Sequence, residues 1–292
     1  MALLAAVAVL NVVVDPFERS RLLDLGLPRE KVASVVDYQI HKILRFQRAP
    51  KPVIILGDSR AELLLDEHFA ALGRDDVFNF ACGGGTLYEA IDTFWLAAEA
   101  TRLRQVVIGV PFSLYNEGNR LNRIPTARQV SRDLPSYYLS PLVTKASLLV
   151  LATAATGRTF TSELPPMSRD AFWQYQLGPG ADLHCRRWSR PQVLLARLEA
   201  VARHCRENDI ELYFFLPPLH QELRDLLPAN GLAAEYDRYK VELARLGRVL
   251  DYDLPGPLTG DAANFDDPHH FNRQVARRLA GEVAAALGPT RP

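Results

Sequence analysis

The sequence predicts an α/β domain built on a doubly wound, parallel sheet of five strands flanked by helices. Three observations indicate this fold: five short apolar runs rich in β-branched and aromatic residues, amphipathic segments between them, and no internal repeat. Short apolar runs bounded by polar residues are typical of buried strands. Strands that alternate with helices are typical of a parallel sheet covered on both faces.

The predicted strands follow one another along the chain as PVIIL (52–56), VFNFA (77–81), QVVIGV (105–110), ELYFFL (211–216) and RVLDYD (248–253). The main predicted helices accompany them at 60–72, 87–102, 191–208 and 272–287. Another amphipathic helix, at 32–48, precedes the sheet. In the helix at 191–208, apolar residues recur at helical spacing and leave the arginines on the opposite face.

The composition indicates a globular protein and favours neither a nucleic-acid partner nor a cysteine-based scaffold. Apolar residues make up 48% and charged residues 23%, which is typical of a globular protein. The 34 basic residues balance the 34 acidic ones, so overall charge favours no nucleic-acid partner. The three cysteines show no Cys-x-x-Cys spacing, which disfavours a disulfide framework or zinc ribbon; a single bridge between Cys185 and Cys205 stays open.

The first fourteen residues, MALLAAVAVLNVVV, are apolar and uncharged, but fewer than the roughly 20 that span a bilayer. We interpret 1–16 as an incomplete membrane anchor, with a buried core segment or a signal-peptide region as alternatives. The helix within 17–50 then links this anchor to a domain at 51–290. Residues 117–190 interrupt the strand and helix alternation, and we expect an insertion that caps one edge of the sheet.

Ligands of an open parallel sheet bind outside the carboxyl ends of the strands. Ser59 follows the first predicted strand, in the turn Gly-Asp-Ser-Arg, where its backbone N–H lies at a helix N-terminus. That position suits a nucleophile because developing negative charge is stabilised there. Serine is also a common helix cap, which is the alternative interpretation.

A nucleophilic serine needs a base and an acid that orients it. His270 is the candidate base, with His269 as the alternative, and Asp267 stands three residues before His270. Pro268 suits a helix start, so we expect Asp267 and His270 at the beginning of the last helix. The three glycines after the second strand offer backbone N–H groups, although they also suit a sharp turn.

The order of these residues resembles the four sequence blocks of the SGNH hydrolases, also called the GDSL esterase family. The second block is matched by Asn79, Gly84 and Thr86, whereas Ala81 replaces its first glycine. The third block departs further, because the family's Gly-x-Asn-Asp is replaced by GVPFSLYN, which ends at Asn116. The resemblance covers roughly 52–116 and 205–287.

The resemblance implies a flavodoxin-like sheet and a serine esterase site that needs no cofactor or metal. The implied catalytic residues are Ser59, Asp267 and His270. The implied oxyanion hole consists of the Ser59 and Gly84 N–H groups and the Asn116 amide. A metal site at the Asp-Asp-Pro-His-His segment, residues 266–270, is disfavoured because vicinal residues rarely point at one ion.

The apolar N-terminus, long insertion and altered third block are similar to membrane-anchored proteins of bacterial exopolysaccharide and cell-wall O-acetylation. This likeness implies an ester hydrolase or O-acyltransferase that acts on acylated carbohydrate in the periplasm, beside a membrane-bound acyl-donor protein. Two alternatives stay open: a non-catalytic glycan-binding or assembly component, and a small-ester esterase. Candidate substrate contacts are Arg60, Trp173, Tyr175 and Trp188, although aromatic side chains of this kind are more often packed in the core.

Overall fold

The computed structural model describes residues 1–158, 167–182 and 184–288. This part of the chain forms two compact units: 1–49 with 123–158, and 50–122 with 167–182 and 184–288. The predicted insertion at 117–190 is therefore divided between the two units. Its residues 159–166 and 183, and the last two residues of the predicted 51–290 domain, lie outside the described residues.

The elements of the N-terminal half are, in chain order, α1 (Ala2–Val14), α2 (Arg29–Val36), α3 (Tyr38–Arg48), β1 (Val53–Leu56), α4 (Ser59–Glu62), α5 (Asp66–Ala70), β2 (Val77–Asn79), α6 (Leu87–Ala100), β3 (Gln105–Gly109), α7 (Ile124–Arg132), α8 (Leu134–Tyr138) and α9 (Pro141–Thr156). The C-terminal half continues with α10 (Arg169–Leu177), α11 (Gln192–Glu207), β4 (Glu211–Leu216), α12 (Gln221–Arg224), α13 (Leu226–Ala229), α14 (Ala233–Leu246), β5 (Arg248–Asp251), α15 (Pro257–Gly260), β6 (Phe265–Asp267), β7 (His270–Phe271) and α16 (Arg273–Leu287). Short 3-10 helices lie at Pro179–Asp182 and Ala262–Asn264.

The second unit contains a five-stranded sheet with the order β2-β1-β3-β4-β5, in which every neighbouring pair is parallel. The predicted fold class is confirmed, and each strand lies within its predicted run. The central strands β1 and β3 are buried along their whole length, as expected for a sheet covered on both faces. Their carboxyl ends meet at one edge, where the candidate site lies.

The core on one face of this sheet joins β1, β3 and β4 to the apolar stripe of α16. Val275, Leu279 and Val283 of α16 recur at helical spacing and are buried. Burying each such aliphatic side chain stabilises the fold by about 1.5–3 kcal/mol. This packing holds α16, and the residues just before it, against the sheet.

Two predicted helices are interrupted. The helix expected at 60–72 is divided into α4 and α5, because the Asn79 amide donates hydrogen bonds to the carbonyls of Ala61 and Leu64, at 2.8 and 2.7 Å. The helix expected at 32–48 is divided into α2 and α3 at Asp37. Asp37 is extended, and its carboxylate accepts the Ile40 N–H at 2.8 Å, so it starts a new helix.

In the first unit, α1 packs against α9 around a buried polar side chain, Asn11. Its amide donates to the Tyr138 carbonyl at 2.8 Å and to Thr144 Oγ1 at 2.9 Å, and it accepts from Ser147 Oγ at 2.8 Å. None of the helices in the described residues combines the length and the apolar character needed to cross a membrane.

Candidate active site

The turn from β1 into α4, residues 57–60, includes the first two residues of α4 and presents the candidate nucleophile Ser59. Gly57 has φ of +143°, and a Cβ there would lie 2.9 Å from Ala61 Cβ and 3.1 Å from the Gly109 carbonyl. Only glycine fits this close approach to β3. The Asp58 carboxylate caps α4 by accepting the Arg60 N–H at 3.0 Å. Asp58 therefore takes the capping role that the sequence left open for Ser59.

The candidate base and acid lie on a small antiparallel ribbon, β6 and β7, in which Asp267 pairs with His270. Pro268 and His269 form the turn between them, and α16 begins later, after its N-cap Asn272. The prediction that Asp267 and His270 stand at a helix start is therefore wrong. The Asp267 carboxylate accepts the backbone N–H groups of His269 and His270, at 2.8 and 3.2 Å, which favours a tight turn over a helix.

Ser59, His270 and Asp267 form one hydrogen-bonded chain. Ser59 Oγ lies 2.7 Å from His270 Nε2, and His270 Nδ1 lies 2.7 Å from Asp267 Oδ2. A carboxylate only accepts hydrogen bonds, so Nδ1 carries the proton and Nε2 is left to accept from the serine hydroxyl. This is the tautomer in which a histidine can act as a general base.

The Asp267 carboxyl is held in its ionised form. Burial opposes ionisation, but the hydrogen bond from His270 and those from the backbone N–H groups outweigh it, and the pKa of Asp267 lies below its ordinary value. The negative charge stabilises a positively charged His270 when that ring takes up a proton.

The glycine loop after β2, residues 83–85, lies against the nucleophile turn. A Cβ on Gly85 would be 2.7 Å from the Gly57 carbonyl and 3.3 Å from Asp58 Cα. Gly84 adopts φ of +63° on the exposed side of the loop. Thr86 then starts α6 in a capping box with Glu89. The loop that carries the predicted donor Gly84 is thus in contact with the turn that carries Ser59.

Asn116, the third predicted oxyanion donor, is buried at the end of the loop after β3. Its side-chain oxygen accepts the backbone N–H groups of Gly118 and Ser189, at 2.9 and 3.0 Å. These bonds fasten the loop to the segment before α11 and fix the direction of the amide. Its role as an oxyanion donor stays a prediction.

Arg60 is buried next to the nucleophile. Its guanidinium forms an ion pair with Asp58, with Nε 2.9 Å from Oδ2, and Nη2 donates to Ser113 Oγ at 3.0 Å. Arg60 Nη1 is buried without a hydrogen-bond partner among the described residues. A donor of this side chain therefore remains for a ligand.

The three predicted aromatic contacts have different surroundings. Trp173 is only 7% exposed, and its indole N–H donates to Glu222 at 2.7 Å, so this side chain belongs to the core and offers little surface to a glycan. Trp188 is partly exposed and stacks on Phe112, with ring centroids 5.1 Å apart. Tyr175 is 47% exposed, which leaves it accessible to a ligand.

The structure brings two further histidines to the site: His184, which sequence reasoning missed, and His269, which it named only as an alternative base. His184 and His269 pack together with ring centroids 4.4 Å apart, and both rings lie in the electrostatic field of Arg60 and His270. The His-Cys and His-His doublets that contain them were the only sequence signal. The cysteine of the first doublet, Cys185, is free, and so is Cys205. The disulfide bond between them that the sequence left possible is therefore not formed.

The described residues contain no cluster of three or more histidine, cysteine, aspartate or glutamate side chains that could hold a metal ion.

Two solved structures with similarity to this chain come from Bacteroides species. One, from Bacteroides fragilis NCTC 9343, is described as a "putative acylhydrolase"; its TM-score is 0.44 at 12% identity, over 87% of this chain and 96% of the other. The second, a "GDSL-like lipase" from Bacteroides thetaiotaomicron VPI-5482, has a TM-score of 0.39 at 10% identity, over 86% and 100% of the two chains. No protein-family model matches this sequence, and no curated protein is significantly similar to it. Scores this low leave the functional interpretation to the geometry of the site.

Proposed function

We propose that this protein is a serine-dependent ester hydrolase or O-acyltransferase of the SGNH type. The observation that carries the proposal is the hydrogen-bonded chain Ser59–His270–Asp267, with both distances at 2.7 Å, at the carboxyl edge of a parallel sheet. Nucleophile, base and orienting acid are each within hydrogen-bonding reach of the next group.

In the acylation step, Ser59 Oγ forms a bond to the acyl carbon while His270 Nε2 takes the hydroxyl proton. The tetrahedral intermediate collapses, the ester C–O bond breaks, and His270 returns the proton to the leaving alcohol. Water or a sugar hydroxyl then attacks the acyl-serine, giving its proton to His270, and Ser59 Oγ leaves with that proton. Asp267 holds the imidazole in place and stabilises its positive charge in both steps.

The negative charge on the tetrahedral oxygen needs hydrogen-bond donors. We assign this role to the backbone N–H groups of Ser59, at the start of α4, and Gly84, with the Asn116 amide as a third donor. Each donor of this kind is worth about 3 kcal/mol of transition-state stabilisation. The contact between the glycine loop and the nucleophile turn supports the pairing of the first two.

We further propose that the acyl group is acetyl, that the substrate is an acylated polysaccharide outside the cytoplasm, and that a membrane-bound acyl donor serves as partner. Exposed aromatic surface at Tyr175 and Trp188 supports carbohydrate contact. The first unit supports a membrane location, because its helices α1 and α9 expose several large apolar side chains: Leu3, Leu4, Val9, Leu148 and Leu151.

The test is hydrolysis of p-nitrophenyl acetate by the wild type, by Ser59→Ala and by Ser34→Ala, a matched control on α2. We expect Ser59→Ala to lower kcat by at least about 10,000-fold with an unchanged circular dichroism spectrum, and Ser34→Ala to match the wild type. A sugar acceptor added to the assay distinguishes acyl transfer from hydrolysis by the mass of the product.

Turnover by Ser59→Ala at the wild-type rate would refute the mechanism. A different result would favour the non-catalytic alternative. In that case the wild type neither hydrolyses esters nor transfers acyl groups, but it binds acetylated oligosaccharide with the same affinity as Ser59→Ala, and the protein is a glycan-binding protein.

A further inference from the structure

The ring of His269, the residue before the proposed base, is buried beside that of His270. The residue is 5% exposed, and neither ring nitrogen has a hydrogen-bond partner among the described residues. Its backbone N–H donates to Asp267 Oδ1, so the ring is held at a fixed place beside His270, with 6.4 Å between the two ring centroids. Buried polar groups without partners are rare in folded proteins, and those at functional sites commonly meet a ligand.

His184 approaches the same place from a different part of the chain, just after the 3-10 helix Pro179–Asp182. Its ring packs on His269 with centroids 4.4 Å apart and planes inclined by 53°. His269 is buried and His184 is partly exposed. The two rings, here called the imidazole pair, therefore extend from the buried hairpin of the triad towards the surface.

Both rings are neutral at neutral pH. Burial lowers the pKa of His184 to about 4, and the positive charge of Arg60 acts in the same direction. Burial, assisted by His184 and Arg60, also lowers the pKa of His269 well below its ordinary value. A neutral imidazole has one N–H donor and one acceptor nitrogen, so the pair presents two donors and two acceptors.

We propose that the imidazole pair binds hydroxyl groups of the alcohol part of the ester, beside the bond that Ser59 breaks. This inference rests on the proposed function. A hydroxyl both donates and accepts, as a neutral imidazole does, whereas a carboxylate only accepts and an ammonium group only donates. An alcohol with neighbouring hydroxyls, such as a sugar or glycerol, satisfies both rings.

We assign the alcohol part of the ester, and not the acyl part, to the imidazole pair because of where His270 delivers its proton. His270 returns its proton to the leaving oxygen, so that oxygen must lie next to His270. His269 lies on the same hairpin, with its ring centroid 6.4 Å from that of His270, so we assign to it the part of the ester that carries the leaving oxygen. The pair therefore distinguishes polyol esters from simple alkyl esters.

The test uses two acetate esters that differ only in the hydroxyls of the alcohol: 1-acetylglycerol and propyl acetate. We expect His269→Phe to lower kcat/KM for 1-acetylglycerol about tenfold, mainly through KM, and to leave propyl acetate nearly unchanged. His269→Asn, which keeps a donor and an acceptor, should recover part of the loss. His204→Phe is the control, since His204 packs on Phe94 and Trp95 of α6.

Equal losses for the two esters in His269→Phe would mean a structural role and would overturn the proposal, as would no loss for either. Neither result contradicts the proposed esterase function, provided that Ser59→Ala is inactive. A second arm needs no turnover: imidazole nitrogen NMR signals, assigned with His184→Phe and His269→Phe, are followed while glycerol is added to the wild type. We expect both histidines to shift. Unshifted signals would overturn the proposal, and shifted signals in a protein without esterase activity would refute only the proposed function.

Discussion

Replacing Asp267 with asparagine tests the triad with the smallest change of shape. Asp267 Oδ1 accepts two backbone N–H groups and Oδ2 accepts His270 Nδ1–H at 2.7 Å. The asparagine oxygen can keep the two backbone bonds, so the hairpin should survive. Its NH₂ group, however, points at His270 Nδ1 and requires that nitrogen to accept. The proton then moves to Nε2, which can no longer accept from Ser59.

The size of the effect follows from these bonds. The variant loses both the tautomer that activates Ser59 and the charge that stabilises protonated His270. The same change in the triad of a serine protease lowers kcat by about 10⁴, or about 5 kcal/mol of transition-state stabilisation. We expect a similar loss in Asp267→Asn, without a comparable loss of folding stability because the backbone bonds remain.

The assay is p-nitrophenyl acetate hydrolysis at neutral pH, together with urea denaturation of each protein. Asp266→Asn is the matched control, since Asp266 belongs to the same strand and is exposed. We expect its kcat to equal that of the wild type. If Asp267→Asn kept more than a tenth of the wild-type kcat while remaining folded, Asp267 would not be the orienting acid.

Two further predictions concern stability. Gly85→Ala places a Cβ 2.7 Å from the Gly57 carbonyl, whereas the nearest atom to a Cβ on Gly83 is 3.7 Å away. Urea denaturation should therefore show a loss of about 1–3 kcal/mol for Gly85→Ala and little for Gly83→Ala; equal losses would contradict the packing. His184 titrates near pH 4 when folded and near 6.5 when unfolded, so the unfolded chain binds a proton first as the pH falls. That difference of about 2.5 in pKa removes about 3 kcal/mol of stability between pH 6.5 and 4, and His184→Gln should lose this part of the pH dependence. An unchanged slope would show that folding does not lower the pKa of His184.

The sequence by itself determined which segments form strands, and it supplied the candidate residues of the site. Runs such as those of β1 and β3 are apolar and β-branched throughout, and the local pattern alone makes them buried strands. Ser59 and His270 became candidates through their residue types together with the order of the sequence blocks that resembles the SGNH hydrolases, and His269 stayed open as an alternative base. The strand predictions need only neighbours a few positions apart, whereas the site candidates needed blocks from the whole chain.

The tertiary structure decided how those residues meet. Ser59 and His270 are separated by 211 positions, and their hydrogen bond depends on the packing of α16 that brings the last hairpin to the sheet edge. Asp58 caps α4, whereas the Ser59 hydroxyl meets the distant His270. The approach of His184 to His269 likewise joins residues far apart in the chain. Local propensity carries no information on such contacts, since they are stabilised by burial between segments that are remote in sequence.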